Sequence, residues 1–280
     1  KEDKLHKFTT LIKSAMKYIY KFFLLNLVII AIACRKDSSL KKETQDPAIP
    51  KPVENIKYGS VRINISNLVG NEMISLNDSV YTNTNGDSFT ISKFKYYLSN
   101  FTLRNANGEL HRQTESYHLI DCQKGYSFTM LIDSVPVGTY NAMNFILGVD
   151  STRNTSGAQI GALDPALGMF WSWNQGYIFL MMEGSSPNST APDNMITYHL
   201  GGFTQPYNCI RNVNPSFGAL DLVVTENNSS KIEISADLLR LFDTPTLIKF
   251  AQTSEGMGGA IAVTLSNNAV NMFKVLDIEN

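Results

Sequence analysis

From residue 57 onward the chain is a succession of short segments alternating with period two and cut by Asn-Gly and Pro/Gly turns; no other feature limits its fold as much. In YGSVRINISNLV, Val61, Ile63 and Ile65 share one side while Arg62, Asn64 and Ser66 share the other, as a half-buried strand requires. Asn85-Gly86 and Asn107-Gly108 each stand between β-prone runs, and this dipeptide supplies the positive-φ positions of a tight hairpin. YHLIDC, SFTMLID, VPVGTYNAMNFILGVD, NMITYHLGG, GALDLVVTE and SKIEIS continue the series, a spacing typical of sandwiches and barrels. The expectation is an all-β, antiparallel β-sandwich-like single domain over 57–280. Helices are expected only at ADLLRLFD and AVNMFKVLDIE, where apolar residues recur at three- and four-residue intervals.

The residues before this domain set the compartment. Lys17 and Lys21 precede an apolar run from Phe22 to Ala33, which ends at Cys34 after a small residue. That order of charged, apolar and cleavage regions predicts a signal peptide over 16–33, and the run is short for a spanning helix. AIAC also fits a bacterial lipobox, so Cys34 is expected to be lipidated and to anchor the protein to a membrane outside the cytoplasm, periplasmic or at the cell surface. Residues 1–15, upstream of Met16, read as an over-extension. The polar, proline-bearing stretch 34–56 reads as a disordered tether.

Composition removes several functions. With 24 basic against 25 acidic residues and a formal net charge of -1, there is no basic footprint for nucleic acid. No GxSxG, P-loop or HExxH occurs, and no enzyme activity is expected. Asn83, Asn85 and Asp87 have partial calcium-loop spacing but lack the later glutamate, so a hairpin turn accounts for them. Cys122 and Cys209 are expected to pair, as cysteines of one domain in an oxidising compartment often do. Two buried thiols, or one of them as a copper ligand, are the alternatives.

A metal site draws on His199 and the methionines Met169, Met181, Met182 and Met195, since copper accepts imidazole and thioether donors. In MITYHLGG the alternation places His199 away from the apolar set and beside Gly201 and Gly202. Both tryptophans fall in GMFWSWNQG, and strand alternation turns Met169, Trp171 and Trp173 the same way. They form either a core wall or the lining of a pocket. An intact indole offers a donor N–H and no lone pair for a metal.

LDPALGMFWSWNQGYIFLMMEG and YHLGG, behind FKYYLSNFTL, YHLID and VPVGTYNAMNFILGVD, resemble the MbnP-like family over almost everything after Lys57. The resemblance implies a secreted β-sandwich-like copper protein in which a tryptophan of the MxWxW region is oxidised to kynurenine by a partner di-haem peroxidase-like enzyme. Ring opening yields an amine and a ketone with lone pairs. By position, Trp171 and Trp173 match that motif and His199 matches its HLGG histidine, with Met169 as a further contact. Asn67 stands where the resemblance places a histidine of the first strand. The implied role is copper binding or handling, with a TonB-dependent transporter as another expected partner. A metal-free surface binding or assembly module that has lost the site is the alternative.

Overall fold

The computed structural model describes residues 56–113, 115–171, 176–226 and 228–280. The expectations for residues 1–55, including the signal peptide, Cys34 and the tether, lie outside the described residues, as does Trp173.

The chain opens with β1 (Tyr58–Val69), β2 (Glu72–Met73), β3 (Tyr81–Thr82) and the long β4 (Ser88–Asn105). Next come β5 (Leu110–Arg112), β6 (Tyr117–Asp121), β7 (Ser127–Pro136), β8 (Gly138–Leu147) and the short helix α1 (Ser151–Asn154). β9 (Phe170–Trp171), β10 (Gly176–Ser185), β11 (Met195–Gly201), β12 (Arg211–Val213), β13 (Leu222–Val224) and β14 (Ser229–Asp237) follow. The chain closes with β15 (Glu255–Met257), helix α2 (Gly259–Ala269) and β16 (Phe273–Glu279).

The strands form two sheets in a sandwich-like arrangement, as expected. The smaller has the order β16-β14-β1-β2, with β7 also paired to β1; the larger follows β12-β8-β4-β10-β11-β15, with short strands on β4, β8 and β10. Pairing is mostly antiparallel, but β1 with β14 and β11 with β15 run parallel. The Asn-Gly turns are where expected: Gly86 and Gly108 have φ of +86° and +85° and close the β3–β4 and β4–β5 hairpins. Asp87 is buried and accepts hydrogen bonds from Asn83, Asn85 and the Phe250 N–H, so the partial calcium-loop spacing is a turn that ties β4 to a distant loop.

The inner faces of the two sheets hold the core, with Val61, Ile63 and Ile65 of β1 fully buried. Phe273 of the smaller sheet meets Tyr96 and Phe145 of the larger one edge-on, at centroid distances of 5.8 and 5.2 Å, the arrangement that opposes ring edge to ring face.

Two helix expectations need correction. ADLLRLFD contains only a 3-10 turn, Leu238–Phe242. Most of AVNMFKVLDIE is the strand β16, whose buried residues Phe273, Val275 and Ile278 combine spacings of two and three because its register with β14 shifts between Glu233 and Ile234. A bulge of this kind imitates helical spacing.

The expected Cys122–Cys209 disulfide is also corrected: both cysteines are free and buried. Cys122 follows β6, its N–H donating to Phe94 of β4, whereas the Cys209 N–H donates to Gly202 just beyond β11. β4 and β10 run between β6 and β11. At about 4.8 Å per strand, that separation exceeds the roughly 7 Å limit between bridged Cα atoms.

Candidate metal centre

Strand register assembles the candidate site from residues far apart in sequence. On the outer face of the larger sheet, Asp121, Lys95, Met181, His199 and Met257 form one continuous cross-strand row. Lys93, Glu183 and Thr197 form the neighbouring row.

His199 is held in place. Its Nε2 lies 2.9 Å from Glu183 Oε1, and Lys93 Nζ lies 2.8 Å from the other carboxylate oxygen. Burial pushes Glu183 up, but hydrogen bonds from Lys93 and His199 outweigh it and hold the carboxyl below its usual range. The ionised carboxylate only accepts, so Nε2 carries a proton, which in the neutral ring leaves the lone pair on Nδ1. An imidazole oriented by a carboxylate on its far nitrogen is the common support of a metal-binding histidine. Next to this pair, Lys95 and Asp121 form a second ion pair at 3.1 Å.

Trp171 lies on the same side. A Cβ at Gly201 would meet Trp171 Cζ3 at 2.6 Å and the Tyr177 carbonyl at 2.7 Å, so only glycine lets the indole lie against β11. Gly201 is two residues beyond His199, about 6.6 Å along the strand and on the same face. Trp171, Gly201, Gly202, Tyr207 and Met257 line a groove of about 420 Å³. Met257 is 58% exposed there.

The structure thus brings His199 and Trp171 onto one face and adds Met257, Met181 and Glu183. Met169 is fully buried, and its carbonyl accepts from the Ile178 N–H; it packs the segment behind Trp171. Asn67 is elsewhere. It is fully buried on the inner face, accepting from Tyr96 Oη at 2.7 Å and donating to the Tyr126 carbonyl at 3.1 Å. Asn67 faces the core from β1 of the smaller sheet, on the opposite side of the larger sheet from His199, and the two do not converge.

Both cysteines are free, buried thiols; burial pushes Cys122 up to about 12 and raises Cys209 as well. Among the described residues no three His, Cys, Asp or Glu side chains cluster as metal ligands. The donor set of the outer face is imidazole and thioether, which suits copper in kind.

The sequence profile of the MbnP family matches residues 58–262. The chain belongs to the MbnP family. A solved structure, MbnP from Methylosinus trichosporium, is similar at 15% identity and a TM-score of 0.46, over 74% of this chain and 83% of that one. No curated protein matches the sequence. Within the MbnP region, the residues that sequence alone did not single out are Met257, in the register partner of His199, and Glu183 as its orienting carboxylate. The glycines flanking Met257 and the period-two placement of Glu183 beside Met181 were the available signals.

Proposed function

We propose that this protein handles copper outside the cytoplasm, anchored to the membrane through a lipidated Cys34, and that copper is its cargo. The observation that carries the reading is the placement of the carboxylate-held His199 and the indole of Trp171 on one face beside the groove lined by Met257. Family membership supports it, since the MbnP family is associated with methanobactin and copper handling.

In this reading His199 offers Nδ1, Glu183 and Lys93 fix the ring, and Met257 offers a thioether from the groove wall. Trp171 is the tryptophan to be modified. Oxidative cleavage of its indole C2–C3 bond, with dioxygen or a peroxide as oxidant at the partner di-haem enzyme and water releasing C2 as formate, would leave an aniline nitrogen and a ketone oxygen in place of a ring with no free lone pair. Copper accepts imidazole, thioether and amine donors; the chain's contribution is to hold them in register on a rigid sheet.

Peptide mass spectrometry on protein from its native host tests the reading, with copper measured on the same sample. The expected result is kynurenine at Trp171 with bound copper. Intact indoles and no copper overturn it in favour of a metal-free surface binding module.

A further inference from the structure

We infer that a second cleft, at the other end of the larger sheet, is a binding site for an oxyanion such as a phosphate or a carboxylate. Its volume is about 560 Å³. The floor is the outer face of β4, β5 and β8, and the wall is the loop after β12. Asn144 fastens wall to floor, its Nδ2 donating to Asn214 Oδ1 at 2.9 Å and to the Val213 carbonyl at 3.2 Å. Phe217 anchors the wall in the core.

The charge in this cleft is one-sided. Arg104 and Arg112 both line it, and no aspartate or glutamate does. Neither guanidinium has an ion-pair or hydrogen-bond partner among the described residues. Glu109, near β5 in sequence, is held by Asn105 Nδ2 at 2.6 Å within the hairpin turn.

Thr102 faces Arg112, and Arg104 faces Leu110, across β4 and β5. The two arginines are therefore diagonal neighbours on one face, within about 8 Å at their Cβ atoms and within reach of a common point. Two planar forks, with the Asn214 amide and the Ser216 and Thr102 hydroxyls around them, are the donor array that brackets a carboxylate or phosphate. A neighbouring cleft on the other side of the same wall repeats the pattern, with Lys274 as its only charged lining residue. Such a cationic concavity in a chain of net charge -1 concentrates anions locally.

The site is independent of the copper reading and is tested by titrating the full chain with inorganic phosphate and, separately, with succinate at matched chloride. The expected result is saturable binding at one site for at least one of them; the one bound identifies the source as phosphate-like or carboxylate-like. Arg104→Gln with Arg112→Gln should weaken it at least tenfold, with the ligand-free unfolding midpoint unchanged. The paired Arg→Lys variant, which keeps charge but loses the fork, should bind at intermediate strength. No binding above the chloride control, or wild-type binding by the paired Gln variant, overturns the proposal.

Discussion

β4, β10 and β11 carry different chemistry on their two faces. Toward the core they bury Phe94, Tyr96, Leu180, Met182, Tyr198 and Leu200; outward, alternate residues of the same strands are Lys93, Lys95, Met181, Glu183 and His199. The inner face contributes apolar area and aromatic contacts, and the outer face contributes ordered charges around a histidine. Asn67, a polar residue in place of an expected histidine, reads as a damaged metal site, yet its position on the inner face makes it a core hydrogen-bonding residue, and the outer-face donors are intact without it.

The largest effect concerns the inner-face thiol. With its pKa pushed up to about 12, Cys122 is thiolate to only about one part in 10⁴ at pH 8, so native labelling by a maleimide should be suppressed by orders of magnitude. Both Cys122 and Cys209 should label fully after denaturation without reductant. A need for reductant would contradict the strand order that separates them.

Asn67→Ala has the next largest effect. It strands the Tyr96 hydroxyl in the core, while the Tyr126 carbonyl keeps the backbone N–H of residue 67, and an unpaired buried group costs about 1–3 kcal/mol. Chemical denaturation should show a loss of about 1–3 kcal/mol, partly recovered by adding Tyr96→Phe, with copper content unchanged.

Glu183→Gln should do the reverse on the outer face. The Lys93–Glu183 pair is part-exposed, and such pairs contribute less than about 1 kcal/mol, whereas losing the orienting carboxylate of a metal-binding histidine weakens metal affinity by about 10- to 100-fold. The sign with pH follows from the depressed Glu183 carboxyl. Its contribution is intact above the ordinary carboxylate range and is lost as pH falls through the lowered value. Denaturation midpoints of the Gln variant should lack that component.

Period-two alternation made most strands legible, because Val61, Ile63 and Ile65 or Tyr198 and His199 sort onto faces by sequence alone. It also placed His199 on the outward side. β16 was misread because the bulge around Leu276 gives its buried residues a three-residue step. α2 was hidden by Ser266, Asn267 and Asn268, which dilute the apolar stripe formed by Ala262, Leu265 and Ala269. The rest depended on register. That Met257 lies beside His199, that Glu183 reaches its Nε2, and that two strands separate the cysteines are consequences of non-local pairing, which no short stretch of sequence encodes.

In the proposed function copper is held on the outer face by His199, and the inner-face Asn67 takes no part. The most direct measurement is copper per chain in protein purified from the native host, for the wild type, His199→Ala and Asn67→Ala, with folding checked by circular dichroism. The expected result is bound copper in the wild type and Asn67→Ala and its loss in a folded His199→Ala. Copper retained by His199→Ala, or lost from a folded Asn67→Ala, would contradict it.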